Sequence, residues 1–518
     1  MLDILIKNGT VFDGTGRAGK KFDVAIEKGK VVKIAPNIFT NATQTINAQD
    51  RFVAPGFIDI QNHSDSYWTI LDQPDQLSLL SQGITTIIMG NCGASLAPLL
   101  SPESIKTIQK WHSLSGININ WTSLEEFLNY LSLTPIGVNV GTLAGHATLR
   151  RGLLGDLTRT ATEEELRVME KTLADALNQG ALGLSMGLVY AHEVNSSHQE
   201  LLRLAKLLKP SGKYLSVHLR SEASHILESL DEVIDLAASA QVPIKISHMK
   251  IRGENNWHLF ESVMSKFETA FQKGVNITFD VYPYASSWSV LYTYLPKWAY
   301  EGGRAQILKT VNDPMSRRKI LDYLKASGQD FGNVIVAEEA FGSNFVGKTI
   351  RQIGQNQSVS AEEAVLNVIA ATKAQVIVFD HNLSDKQVEA FCASPLSFIA
   401  TDGAGYSGQN PNLVHPRCFG AMPKFLRLVA DKKLLKWEEA IQKLTSEPAK
   451  FLGISDRGVL AAGAFADVVI FDPLTIKDNA DYKNPDLFSD GIDMVLVNGK
   501  LGYSNRKALN LNGQVIKR

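Results

Sequence analysis

Metal-capable and ionisable side chains recur in this chain just after short apolar runs. The first run leads into Gln61-Asn62-His63-Ser64-Asp65, the second into Gly90-Asn91-Cys92-Gly93 and the third into Gly145-His146. Later runs lead into His218-Leu219-Arg220-Ser221-Glu222, His248-Met249-Lys250, Asp280 to Tyr284, and Thr401-Asp402-Gly403. The chain has 11 histidines in 518 residues, and four of them fall at these positions. A cysteine taken alone is more often a small buried hydrophobe than a ligand, and a histidine taken alone is usually structural. Cys92, however, lies in a turn next to glycine, and His218 and His248 follow successive runs. Together they offer one thiolate sulfur and two imidazole nitrogens, a set that suits Zn²⁺ with one position open. Such an ion lowers the pKa of water from about 15.7 to roughly 7 and polarises a carbonyl. Asp402, beside glycine after the last run, is better placed to accept a proton from that water than merely to cap a helix.

Bringing these groups together requires strands that end at one rim. The runs are Gly56–Asp59, Ile84–Met89, Val138–Leu143, Ala181–Leu184, Tyr214–Val217, Pro243–Ile246, Val275–Tyr282 and Ser397–Ala400. Continuous apolar strands are what a parallel sheet covered on both faces needs. The segments between them read as helices. Thr162 to Glu165 is a capping box opening a helix that Gly180 closes, and Glu222 to Ala238 carries its own apolar stripe. Eight strands alternating with helices predict an α/β fold, a (β/α)8 TIM barrel over 54–454 with its chemistry at the strands' carboxyl ends. Ala285 to Phe398 is too long for one crossover and contains strand-like Asn333–Val336 and Gln375–Phe379. It predicts an insertion before the last barrel strand, a lid or subdomain over 285–345. Both chain ends read as short strands broken by turns, DILIKNG and TVFDG first and IDMVLVNGK and LNGQVIKR last, with Asn8-Gly9 a hairpin-type dipeptide. They predict one small β-sandwich domain assembled from 1–53 and 455–518.

Hydrophobic residues make up 44% of the chain and charged residues 20%, with a formal net charge of −1. That balance offers no electrostatic footprint for nucleic acid or an anionic membrane. No apolar stretch approaches the ~18 residues of a membrane span. Three cysteines, Cys92, Cys392 and Cys418, argue against a disulfide framework and for a reducing compartment. The start, MLDILIKNGTVFDGTG, reaches Asp3 at once and lacks the apolar core of a signal peptide. The expectation is a cytoplasmic enzyme with a small-molecule substrate.

At these residues the sequence resembles the amidohydrolase superfamily, and within it the N-acyl-D-amino-acid deacylases (D-aminoacylases). The resemblance runs through Ala54-Pro55-Gly56-Phe57-Ile58-Asp59, Gly90-Asn91-Cys92-Gly93, Gly145-His146 with Leu149-Arg150, and Gly180 to Ser185. It continues through Ser247-His248-Met249-Lys250, Asp280-Val281-Tyr282-Pro283-Tyr284, Thr401-Asp402-Gly403, His415-Pro416-Arg417 and Gly463 to Val469. The Gly-Asn-Cys-Gly turn is its most specific part. Many superfamily members bridge two metals with a carboxylated lysine on the fourth strand, whereas this fourth strand offers Ser185-Met186-Gly187. By this resemblance Cys92, His218 and His248 hold one tight zinc. Asp402 is the general base and later the acid, and His63 lines a second, weak metal position or the base's surroundings. The superfamily's His-x-His is Gln61-Asn62-His63 here, which leaves a second metal site in doubt because an amide oxygen is a poor partner for zinc.

The implied reaction is zinc-dependent hydrolysis of an N-acyl-D-amino acid, or of a D-amino-acid-containing dipeptide, to a carboxylate and a D-amino acid. Lys250 and Tyr282 are the first candidates to hold the substrate carboxylate, with Arg150 and Arg220 behind them. Tyr190 is a candidate to support the pocket or the oxyanion, and His146 to position substrate. Trp288, after the Tyr-Pro-Tyr segment, sets a bulky indole near the pocket. Two rival readings share the barrel: a cyclic amidase of the hydantoinase or dihydroorotase kind, and a scaffold that has lost its metal. Cys92 and the missing strand-four lysine count against the first. The joint presence of Cys92, His218, His248 and Asp402 counts against the second.

Overall fold

In the computed structural model, which describes residues 1–101, 104–105, 117–155, 157–342, 344–408 and 413–518, the two chain ends pair with each other. The start supplies β1 (Leu2–Val11), β2 (Lys20–Glu27), β3 (Lys30–Ala35), β4 (Ala42–Asn47) and β5 (Phe52–Pro55). β1 runs antiparallel to β2 and parallel to β4 and β5. Asn8-Gly9 is not a hairpin turn. Asn8 adopts a left-handed φ of 66° and the register slips between Ile6 and Gly9, so a bulge bends β1 without ending it.

Each of the eight apolar runs becomes a parallel strand. β6 (Phe57–Asp59), β7 (Ile84–Met89) and β8 (Asn139–Thr142) form one arc. A second arc follows the order β9 (Ala144–Gly145), β10 (Gly183–Gly187), β11 (Tyr214–His218), β12 (Ile244–Ile246), β13 (Ile277–Val281). Every residue of β10, β11 and β12 is buried, as a sheet covered on both faces requires. The chain then leaves this sheet for β14 (Ser287–Val290), β15 (Val334–Glu339) and β16 (Val376–Asp380), which make a separate antiparallel sheet. It returns as β17 (Ser397–Ile399), parallel to β13. Backbone bonds join the two arcs on both sides: Leu182 N donates to Thr142 O at 2.9 Å, His63 N to Gly403 O at 2.7 Å, and Asp402 N to Gln61 O at 2.9 Å.

The Glu163–Gln179 helix begins as the capping box implies, with Thr162 and Glu165 bonded reciprocally, and stops at Gly180 with φ 119°. Leu166, Met169, Leu173 and Leu177 bury one face of it. The helix expected from Glu222 begins only at Ile226, so Glu222 stands in the preceding loop. The inserted segment packs around an apolar cluster that extends from Leu291 to Val378 and takes in Ala191 and Val194 from the loop after β10. The expected limit at 345 cuts through that cluster, because β16 pairs with both β14 and β15. The end of the chain adds β18 (Val468–Phe471), β19 (Ile492–Val497), β20 (Lys500–Ser504) and β21 (Lys507–Ala508). β18 lies antiparallel to β5, with Val468 opposite Pro55, and this joint makes one nine-stranded sheet of both ends. Among the described residues no helix is long and apolar enough to cross a membrane.

Candidate active site

The carboxyl ends of β7, β11 and β12 bring Cys92, His218 and His248 together although they lie far apart in sequence. One ligand atom from each lies within 4.8 Å of the others, and all three residues are buried. Cys92 Sγ is 3.4 Å from His248 Nε2, and the two imidazole rings meet edge to face at 4.3 Å. A second group, His63, Cys92 and Asp402, shares the same thiol within the same limit. His63 Nε2 is 3.1 Å from Asp402 Oδ1 and 3.8 Å from Cys92 Sγ.

Three of these side chains stand on strained backbone: φ is 53° at Cys92, 38° at His248 and 46° at Asp402. Each such conformation costs about 1–3 kcal/mol and persists only where its surroundings over-determine it. At Cys92 the surroundings are Ser185, whose hydroxyl accepts from Gly93 N at 3.0 Å and donates to Gly90 O, and Asn91, whose amide donates to Ile88 O at 2.8 Å. A side chain at Gly90 would strike the Leu143 backbone, and one at Gly93 the Glu193 carboxylate. Asp280 Oδ1 accepts from His248 N at 2.7 Å, and the Arg417 guanidinium reaches both the Asp402 backbone carbonyl and, at 2.7 Å, Oδ2 of its carboxylate.

Electrostatics favour the anionic thiolate and carboxylate that a cation site needs. Burial alone would raise the Cys92 thiol, but His248, His218 and His63 around it hold it well below its usual range. Burial would likewise raise Asp402, yet Arg417, His248 and His63 keep its carboxyl well below the carboxylate norm. Burial and Lys250 push the His248 imidazole down, and the charges of Asp402 and Cys92 carry it up to about 10, so a cation bound there has to displace a proton. A thiolate and two imidazoles at this separation fit Zn²⁺. His218 Nδ1, buried with no hydrogen-bond partner, agrees with a ligand role.

A cavity of about 430 Å³ opens onto these groups. It is lined by His63, Cys92, Tyr190, His218, His248, Lys250, Tyr282 and Asp402 among the expected residues. Tyr190 packs its ring edge-on against His218 at 5.0 Å. Burial, with Cys92 nearby, raises its phenol well above the usual range and keeps it a neutral donor. The Tyr282 hydroxyl is buried without a partner. Lys250 Nζ is 2.5 Å from Glu222 Oε1 and 2.7 Å from His248 Nδ1, so it also fixes how the His248 ring is turned.

Three expected substrate contacts do not reach the cavity. His146 is clamped between Glu193 and Glu200, one carboxylate at 2.7 Å from each ring nitrogen. Arg150 spends its guanidinium on Glu200 and on the carbonyls of His192 and Arg159. Arg220 pairs with Glu232 at 2.8 and 3.0 Å and with Val194 O at 2.7 Å. All three positions are rim residues by sequence, but neighbouring carboxylates draw their side chains away from the mouth.

Reading residue types gave no role to Glu222, Lys245 or Arg417, and took Gln61 only as a missing ligand. Glu222 Oε1 lies 3.1 Å from His248 Nδ1 and 3.6 Å from His218 Nε2. Burial opposes its charge, and Lys250 with both histidines holds it well below the carboxylate norm. Arg417 covers the Tyr282 ring at 4.3 Å and the Trp288 ring at 5.5 Å, and Trp288 stacks on Tyr67 at 4.8 Å. A signal existed for Glu222, which follows His218 by four residues before any helix begins.

A family model described as amidohydrolase family matches residues 44–273 and 407–503, more than half of the chain. The chain belongs to the amidohydrolase family. Among relatives, the N-acyl-D-aspartate deacylase of Alcaligenes xylosoxydans xylosoxydans is 30% identical over 99% of this chain and 95% of its own. The D-aminoacylase of the same organism is 28% identical over 96% of this chain and 93% of its own. Among solved amidohydrolase structures, the N-acyl-D-glutamate deacylase of Bordetella bronchiseptica, complexed with zinc and a phosphonate mimic of the tetrahedral intermediate, superposes with a TM-score of 0.85. It is 27% identical, with 100% of both chains covered.

Proposed function

We propose that this amidohydrolase cleaves the amide bond of N-acyl-D-amino acids, or of D-amino-acid-containing dipeptides, to a carboxylate and a D-amino acid. The observation that carries the reading is the meeting of Cys92, His218 and His248 beside Asp402 at one cavity. Full-length likeness to D-amino-acid deacylases supports the substrate class. In this reading the two parallel arcs form one (β/α)8 barrel over 54–454, interrupted by the insertion. Residues 1–53 and 455–518 form a small β-sandwich domain. A cytoplasmic location suits the three free thiols.

Cys92, His218 and His248 would hold a single zinc, which supplies Lewis-acid polarisation of a carbonyl and a lowered water pKa. Asp402, kept ionised by Arg417, takes the proton of the attacking water and returns it to the leaving nitrogen, without which the amine is a poor leaving group. His63, hydrogen-bonded to the same carboxylate, steadies that proton. The Tyr190 hydroxyl donates to the oxygen on which negative charge develops. Tyr282 and Lys250 at the cavity wall anchor the substrate's α-carboxylate.

A panel of N-acyl-D-amino acids, their L enantiomers, D-dipeptides and cyclic amides tests this reading, run beside metal analysis of the same preparation. The expected outcome is turnover of linear D substrates by protein carrying one zinc per chain. A preference for L substrates or for cyclic amides overturns the substrate assignment, and full activity in metal-free protein overturns the ligand assignment.

A further inference from the structure

The two donor groups share Cys92, so the bare geometry would admit two cations, one against His218 and His248 and another against His63 and Asp402. A third side chain reaches the second position. Gln61 Nε2 lies 3.2 Å from Cys92 Sγ and 3.5 Å from Asp402 Oδ1, facing the two anionic donors of that group. Its other end is fixed. Gln61 Oε1 lies 2.6 Å from Lys245 Nζ, and Lys245 is paired with Asp280; all three residues are fully buried. An ammonium can only donate, so the Gln61 atom beside it must be the carbonyl oxygen, and the NH₂ group must face Cys92 and Asp402. Turning the amide over to offer its oxygen to a metal would set NH₂ against the ammonium and break a charge-assisted bond.

We propose that Gln61, locked in one orientation by Lys245, takes the place of a second cation and makes this a site for one metal ion only. The inference rests on the metal-dependent reading above. The Gln61 NH₂ supplies, in fixed form, part of the positive field that a second ion would bring to the thiolate and the Asp402 carboxylate. Asp280 ties the arrangement to the primary site, since the carboxylate that pairs with Lys245 also accepts from His248 N. Gln61 is a positioning residue, acting through Cys92 and Asp402.

The test is metal stoichiometry, which needs no turnover. Equilibrium dialysis of the full chain against rising zinc, with elemental analysis, should saturate at one ion per chain. Gln61→His should take up a second ion at zinc concentrations at which the native chain stays at one. Gln61→Glu is the second variant, because its carboxylate still accepts from Lys245 while presenting an oxygen to the second position; it too should take up two. Cobalt loading supplies an independent signature. Two ions sharing Cys92 would be spin-coupled in the variants, whereas the native chain should show only the uncoupled signal at any loading. A native chain that binds two ions as tightly as Gln61→His overturns the proposal. A native chain that binds none overturns the metal-dependent reading, and the proposal falls with it.

Discussion

The cavity has two walls of opposite character. One is made by strand ends of the parallel arcs, where His63, Cys92, His218, His248 and Asp402 are held by hydrogen bonds, three of them (Cys92, His248 and Asp402) on strained backbone. The other comes from the insertion and includes Val290, Tyr292, Ile307, Ala374 and Ile377, with Ser287, Ser289, Arg304 and Gln375 as its polar members. Val290 and Ile377 face each other as partners across β14 and β16, and Ile307 belongs to the insertion's apolar cluster. The first wall spends stability on exact placement of a few reactive atoms. The second offers shape and apolar surface, which a bound substrate can exploit without any one atom being critical. In the proposed reading the strand-end wall carries the chemistry and the anchoring of the carboxylate, the insertion wall receives the apolar part of the substrate, and substitutions should separate the two.

The largest effect should come from the strand-end wall. Asp402→Asn keeps the size of the side chain and removes the base. We expect kcat to fall by about 10²–10⁴-fold with one zinc still bound, measured by steady-state kinetics and elemental analysis on one sample. Near-normal kcat would assign the proton to another group and remove the contrast between the walls. A smaller effect should come from the other side. Val290 is only partly buried, so Val290→Asp can be accommodated while placing a charge on the apolar wall. KM for apolar N-acyl-D substrates should rise about tenfold, with zinc content unchanged and kcat within a few-fold. A loss of zinc on this substitution would mean that the walls are not separable.

The same contrast explains what could be read from residues alone. The metal-capable set was legible because cysteine, histidine and aspartate in turns after apolar strands are uncommon, and a few coincidences carry much weight. The eight strands were legible for a related reason, since uninterrupted apolar runs have few other uses. The insertion wall was not, because Val290, Ile307 and Ile377 look like any core residue until the chain is folded. Its end was misplaced because β16 joins a sheet whose other strands lie up to about ninety residues earlier, a pairing that no local pattern signals. His146, Arg150 and Arg220 were misread as substrate contacts because position along a strand tells where a side chain starts but not which carboxylate captures it. Gln61 appeared only as a missing ligand. Its amide acquires a role through Lys245, 184 residues away.

Acid should separate individual helix starts, by the smallest effect. Helices of both regions open with capping boxes, but the residue that closes the box differs from one helix to another. Around the parallel arcs it is Glu126 or Glu165, each held at about 2 by hydrogen bonds and, at Glu165, first by its pairing with Arg159. In the insertion Ser360 is likewise answered by Glu363, whereas Thr349 is answered by Gln352, which does not titrate. A carboxyl whose folded pKa lies below its ordinary value contributes stability above that value and loses it as pH falls toward the folded one. Here the window runs from 4.5 down to about 2. Glu126 is exposed and Glu165 half-buried at the surface, so solvent screens the effect, and it should register as fraying of single turns and not as global unfolding. Amide exchange through that window should therefore quicken at the first turns of Leu124–Leu133 and Glu163–Gln179 while the first turn of Ile350–Gln357 keeps its protection relative to them. Equal loss at all three would show that the boxes are not what holds these helix starts. Glu165→Gln should then flatten the response of its own helix and leave that of Leu124–Leu133 intact, because the neutral amide keeps the bond to the Thr162 backbone without the titration.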